Sequence, residues 1–152
     1  MSAIKIGQRA PEIILKDQHN AEFKLSAFKG RKVLLSFHPL AWTKVCARQM
    51  QSLERNSKTF DLLNTVPIGI SVDTVPSKHA WTKALKVKTI RMLADFWPHG
   101  KISKIFGLFR EKEGFSERAN VIIDEFGKVT WIKIYPLKEL PDIKEIIRFL
   151  VK

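Results

Sequence analysis

The order of apolar and helix-patterned segments predicts an α/β chain, with a mixed central β-sheet flanked by helices on both faces. Two near-continuous apolar runs, VLLSF at 33–37 and VPIGISV at 66–72, read as strands covered on both sides. Segments with helical spacing alternate with them, as in a sheet covered by helices. A hairpin signal then brings in an antiparallel pair. ANVIID at 119–124 and KVTWIKI at 128–134 flank Glu125-Phe126-Gly127, where Gly127 can take positive φ.

The remaining elements follow in chain order. EIILKDQHNAEFKL at 12–25 reads as an N-terminal β-hairpin turning at Gln18-His19-Asn20, and Lys29-Gly30-Arg31 is a second turn. After the 33–37 strand, Trp42, Cys46, Met50, Leu53 and Phe60 recur at helical spacings near one stripe. Pro39 keeps that helix from starting earlier, because it biases His38 toward an extended backbone and has no N–H. Ser77 to Leu85 reads as a helix after a break at Pro76, RMLAD at 91–95 as a strand, and Gly100 to Phe106 as a short helical stretch. Leu140 to Val151 closes the chain as an amphipathic helix with Ile143, Ile146, Ile147, Leu150 and Val151 apolar.

Size and composition narrow the class. A chain of 152 residues is expected to form a single domain, 1–152, whose core stands without disulfides. Its single cysteine excludes an intramolecular disulfide and fits a reducing, cytoplasmic setting. The opening MSAIKIGQRAPE lacks the apolar stretch of a signal peptide. No apolar run approaches the roughly 20 residues that cross a bilayer, so no membrane partner is expected. The net charge of +12 raises a nucleic-acid reading, but the basic residues are scattered, with no run longer than Arg31-Lys32. A solvated lysine-rich surface is the simpler account. No specific nucleic-acid partner is expected, only salt-sensitive attraction to polyanions.

Cys46 is placed in the first turn of its helix. With Thr43 as N-cap, Cys46 falls at N3, where unpaired N–H groups and the helix dipole favour an anion. A free thiol is only about 3% ionised at pH 7, and about 90% ionisation requires roughly 3.4 kcal/mol of stabilisation. A helix end gives ~0.3–1 kcal/mol, or ~2 at best, so a cation is required. Lys44 and Arg48 are adjacent but belong to the solvated side. A buried arginine from elsewhere in the chain would serve better, since its guanidinium stays charged and presents a fork of donors. Taken singly, these residues have ordinary structural readings: Cys46 as a small buried hydrophobe, Thr43 as a cap, His38 as a strand end and Pro39 as a helix boundary.

Together they carry more. Pro39-Leu40-Ala41-Trp42-Thr43-Lys44-Val45-Cys46 resembles the P-x-x-x-T-x-x-C active-site signature of the peroxiredoxins. The resemblance spans most of the chain. It includes GQRAPEIILKD at 7–17, LSAFKG at 25–30 and Ser71-Val72-Asp73 with His79-Ala80-Trp81. It continues through Leu93-Ala94-Asp95, Gly100 to Gly107, and the strand from Arg118 to Asp124. It implies a thioredoxin-like fold and a thiol-dependent peroxidase that needs no cofactor and no metal. Cys46 would be the peroxidatic nucleophile and Arg118 the guanidinium beside it. Thr43 would accept from the peroxide and donate toward the thiolate, and Pro39 would shield the sulfur. The substrate would be hydrogen peroxide or an organic hydroperoxide, reduced through a Cys46 sulfenic acid.

With no second cysteine, recycling would fall to an external thiol, of the thioredoxin, glutaredoxin or low-molecular-weight type. Lys44 and Gln49 stand where many relatives carry proline and glutamate. The chain ends soon after its closing helix, so decamer-forming arms are not expected, whereas a homodimer is. Trp42, Phe96, Trp97 and Phe106 could form its apolar patch or simply belong to the core. The competing functions are a non-catalytic thioredoxin-like binding module with a basic surface and a peroxide sensor. A thiol–disulfide oxidoreductase would need C-x-x-C, and Thr43-Lys44-Val45-Cys46 is one cysteine short.

Overall fold

The computed structural model describes residues 3–152. Met1 and Ser2, part of the opening segment read as free of a signal peptide, lie outside them.

Five strands form the central sheet: β3 (Lys32–Phe37), β4 (Thr65–Ser71), β5 (Arg91–Ala94), β8 (Arg118–Ile123) and β9 (Val129–Tyr135). Their spatial order is β5-β4-β3-β8-β9, with β3, β4 and β5 mutually parallel and β8 antiparallel to both β3 and β9. The expected mixed sheet is therefore present, and β3 is its central strand. The N-terminal hairpin is also present, as β1 (Ile14–Lys16) and β2 (Glu22–Lys24). Gly127 turns the β8–β9 connection at φ 86°.

Alternation along the strands divides the core in two. On one face Val33, Leu35, Phe37, Ile68, Ile70, Val121 and Ile123 pack with Phe23 of β2 and with Ile102 of α4 (Lys101–Ile105). On the other, Leu34, Met92 and Ile122 meet four helices: α1 (Lys44–Arg55), α2 (Ser57–Leu62), α3 (Val75–Leu85) and α5 (Ile143–Val151). These helices contribute Cys46, Met50, Leu53, Phe60, Trp81, Ile146 and Leu150. Each fully buried side chain of this size is worth about 1.5–3 kcal/mol relative to exposure.

Several boundaries differ from expectation, each for a local reason. The helix stripe from Trp42 to Phe60 is interrupted at Asn56, which separates α1 from α2. Trp42 is not on the stripe at all. It precedes α1 at φ 71° and is 57% exposed. Pro76 does not break a helix before Ser77; it sits in the first turn of α3, where a missing N–H costs nothing, and Thr74 caps the helix by accepting from Ser77 N at 3.3 Å. Leu140 lies outside α5, which starts after Asp142 accepts from Lys144 N at 3.0 Å. A two-residue ladder between β6 (Phe109–Arg110) and β7 (Phe115–Ser116) is additional; strands this short leave no periodic signal.

Candidate active site

β3 runs through the middle of the sheet and delivers His38 and Pro39, both buried, to its C-terminal end. The chain then crosses exposed Trp42 and Thr43 and enters α1. Asp73, beyond the end of β4, fixes this crossing by accepting from Ala41 N at 2.8 Å and from the Ser71 hydroxyl at 2.6 Å. Trp42 Nε1 donates to Ser77 Oγ at 3.0 Å, tying the same loop to α3.

Thr43 occupies the N-cap position with extended backbone, which places Cys46 at N3. Its hydroxyl, however, makes no cap hydrogen bond. It donates instead to Leu40 O at 2.8 Å. This corrects two expectations. The side chain does not serve the N2 or N3 N–H, and its one proton goes to Leu40 O rather than to Cys46. Its lone pairs stay available as acceptors, and the first N–H groups of α1 stay free of a side-chain cap.

Cys46 is fully buried and free of any disulfide. Lys44 and Arg48 are exposed, as the solvated-side reading requires. The cation beside the sulfur comes from β8. Arg118 is 3% exposed, and its Nη1 donates to Cys46 Sγ at 3.3 Å and to Gln49 Oε1 at 2.7 Å. Its Nε and Nη2 both donate to Leu137 O, at 2.9 and 2.8 Å. The guanidinium is thus held on one edge by a carbonyl from the segment after β9 and aimed at the thiol with the other. Such a fork is available to arginine and not to lysine.

Gln49 is one helical turn beyond Cys46 and faces the same space. Its Nε2 donates to Ser36 Oγ at 2.6 Å and Phe37 O at 3.2 Å. A carbonyl needs a donor and a guanidinium needs an acceptor, so these partners fix the amide orientation. Gln49 is a neutral acceptor for Arg118 and leaves its full positive charge in the site. Its spacing from Cys46 was the only sequence signal for this contact.

Two further residues join the site without having been singled out as a pair. His38 lies with its Nδ1 3.3 Å from Ser36 O and its Nε2 2.8 Å from Nζ of Lys78, which is itself fully buried on α3. Burial, the Lys78 charge and more distantly Arg118 hold His38 well below its usual range, against the pull of the Ser36 carbonyl. Burial also lowers Lys78 from 10.5 to about 7, with Asp73 and Cys46 pulling the other way. The signal missed was a lysine three residues before Trp81, on the apolar side of its helix.

Cys46 and Arg118 therefore meet in the first turn of α1, and Pro39 and Thr43 lie in the segment that leads into it. The proposed apolar patch does not hold as a unit. Phe106 is fully buried in the core, whereas Phe96 and Trp97 are 47% and 79% exposed. Among the described residues, no cluster of His, Cys, Asp and Glu could hold a metal ion, and no helix is long and apolar enough to cross a membrane.

Residues 6–132 match the model of the AhpC/TSA family. An alkyl hydroperoxide reductase E of Mycobacterium tuberculosis is 31% identical over 140 residues, covering 91% of each chain. Peroxiredoxin 2 of Thermoplasma acidophilum is 30% identical over 150 residues, covering 95% of this chain and 74% of that one. The crystal structure of a reduced 2-Cys peroxiredoxin of Plasmodium vivax superposes with a TM-score of 0.88 at 29% identity, covering 96% of this chain and 80% of that one. With the thioredoxin-like architecture and the family match over most of its length, the chain belongs to the AhpC/TSA family, the peroxiredoxins.

Proposed function

We propose that this peroxiredoxin is a one-cysteine peroxidase that reduces hydrogen peroxide and organic hydroperoxides at Cys46. The observation that carries the reading is the Arg118 Nη1 contact with Cys46 Sγ at 3.3 Å, made between two buried side chains. In the reaction, the Cys46 thiolate attacks one peroxide oxygen in line with the O–O bond. A sulfur–oxygen bond forms and the O–O bond breaks. Sulfur is oxidised by two electrons, and the departing oxygen takes the electron pair and then a proton. The products are Cys46 sulfenic acid and water or an alcohol. Charge grows on the leaving oxygen, so fixed donors aimed at it lower the barrier. Arg118 and the uncapped N–H groups of α1 supply donors, and Thr43 Oγ1 supplies an acceptor for the peroxide hydrogen. Pro39 contributes by excluding water from the sulfur.

One cysteine in the sequence leaves recycling to external thiols. A first thiol condenses with the sulfenate to give a mixed disulfide and water, and a second releases Cys46 as thiol. A thioredoxin, a glutaredoxin or a small thiol each fits that chemistry. The 152 residues act as one domain in a reducing compartment, the cytoplasm. The exposed Trp42, Phe96 and Trp97 support a homodimer, which sedimentation with and without Trp97→Glu tests: a wild-type monomer at working concentration removes it.

The direct test is to treat reduced protein with slight excess of hydrogen peroxide and trap with a sulfenate-selective reagent. One adduct on Cys46 is expected, absent in Cys46→Ser. No adduct, with thiol loss no faster than for a free thiol, would leave a non-catalytic binding module as the better account.

A further inference from the structure

One concave part of the described surface carries basic residues and no acidic one. It is a cavity of about 330 Å³ between the last turn of α3, the residues that follow it and the turn joining β1 to β2. His19, His79, Lys83, Lys86 and Lys88 line it. Four other cavities of the described surface each include a carboxylate: Glu12 and Asp124, Asp61, Glu22, and Asp124 again.

The backbone creates this cluster. α3 ends where Lys86 turns left-handed, at φ 58° and ψ 35°. Lys86 N then donates to Lys83 O at 3.1 Å and Val87 N to Thr82 O at 2.9 Å, and buried Val87 pins the reversal to the core. The reversal brings Lys88 to the same cavity as Lys83 and Lys86. His79 Nδ1 donates to Gln18 O at 3.0 Å, and its ring meets that of His19 edge-on at 5.9 Å, so the hairpin turn is held as a further wall.

Stability alone does not account for the three lysines. A left-handed backbone favours glycine, and Lys86 stands there instead. Like charges brought together oppose folding. Among the described residues, none of the three enters an ion pair. The carboxylates on adjoining segments are turned to other donors. Asp17 accepts from His19 N, Ala21 N and Arg91 Nε, and Glu54 accepts from Thr89 N and Ile90 N. The carbonyls of Thr82 and Lys83 at the helix end are also hydrogen-bonded, so they present less opposition to an anion.

We propose that this cavity binds an oligophosphate, the chain of linked phosphates shared by inorganic polyphosphate and nucleoside triphosphates. Its volume holds roughly eleven water-sized groups, the scale of a triphosphate and far below that of a nucleic-acid duplex. Lysine ammonium groups are mobile point charges that suit phosphate oxygens. The site is separate from Cys46. Ser77 ties the first turn of α3 to the loop before α1, and Lys86 lies roughly 13 Å further along the helix axis.

The test is calorimetric titration of the whole protein, at physiological salt, with tripolyphosphate and separately with adenosine triphosphate. One saturable site is expected for tripolyphosphate. Lys83→Gln/Lys86→Gln/Lys88→Gln should weaken it by about tenfold or more, as loss of charge-assisted hydrogen bonds requires. Lys5→Gln/Lys58→Gln/Lys112→Gln removes the same charge from exposed positions elsewhere and should change affinity by less than about twofold. Equal losses in the two triple variants, or no saturable binding at this salt, would overturn the proposal by reducing it to general electrostatics. Lys86→Gly is a further check. It relieves the left-handed backbone, so the variant should be more stable and yet bind less tightly; a stabilised variant with unchanged affinity would remove Lys86 from the site. Equal affinity for the two ligands would indicate a site that reads phosphates alone, and tighter binding of adenosine triphosphate one that also holds the nucleoside; both uphold it. Unchanged Cys46 oxidation in every variant shows that the fold is intact.

Discussion

Arg118 is positioned by contacts on both edges of its guanidinium. Leu137 O takes two of its donors and Gln49 Oε1 a third, which leaves the Nη1 contact with Cys46 at 3.3 Å little freedom. Gln49 decides how much of the guanidinium's charge the sulfur receives. Gln49→Glu would place a carboxylate 2.7 Å from the same nitrogen, judged by the glutamine it replaces. That pair would satisfy Arg118 locally and withdraw the donor now serving Phe37 O. The expected result is a roughly tenfold slower oxidation of Cys46 near pH 6, with the thiolate profile moved upward, because neutralising a neighbouring cation disfavours an anion. Stopped-flow oxidation across pH reads both. At Thr43 the sequence indicated the N-cap position but not the hydrogen bond. Hydroxyl direction depends on which carbonyl the loop brings within reach, here Leu40 O.

α1 links the site to the sheet. Cys46 faces Arg118, and Met50, four residues on, rests over Gly69 of β4. A Cβ at Gly69 would lie 2.6 Å from Met50 Sδ and 3.3 Å from His38 Cε1. Gly69→Ala is therefore expected to cost about 1–3 kcal/mol, as over-packing of a filled core does. It should also slow Cys46 oxidation by pushing Met50, and α1 with it, off the sheet. Denaturant unfolding and peroxide kinetics on the same sample check the two together. At this scale the sequence was most legible where periodicity is strong. The 33–37 and 66–72 runs, the 119–134 hairpin and the N-terminal hairpin lie where the pattern put them. Trp42 and Leu140 did not follow their helices, since a loop residue adjoining a stripe can match its spacing by chance. Lys78 was illegible for a different reason. A lysine on an apolar face normally extends its head to water, and only the fold shows that His38 and Trp81 enclose it.

For the molecule as a whole, the buried bases give stability a definite pH dependence. Folding lowers Lys78 from 10.5 to about 7, so between those values the unfolded chain binds a proton that the native chain does not. Stability therefore rises with pH across that window, by an amount on the order of a few kcal/mol. His38, held below its usual range, acts in the same sense at lower pH: native protein loses stability as pH falls below about 6.5, where the unfolded imidazole protonates. Unfolding midpoints measured from pH 5 to 10 should climb, and Lys78→Met should flatten the part above 7. A profile unchanged by that substitution would mean the lysine is not buried in solution. The net charge of +12 adds self-repulsion to the folded chain. All of this serves one arrangement, a sulfur at the head of α1 facing a guanidinium from β8, and the rate of its oxidation interrogates that arrangement most directly. Stopped-flow mixing of reduced protein with hydrogen peroxide should show Cys46 reacting far faster than a free thiol, and Arg118→Ala, still folded, should be slower by about 10²–10³-fold. A wild-type rate equal to that of a free thiol, or an equal rate in the folded variant, would contradict the account.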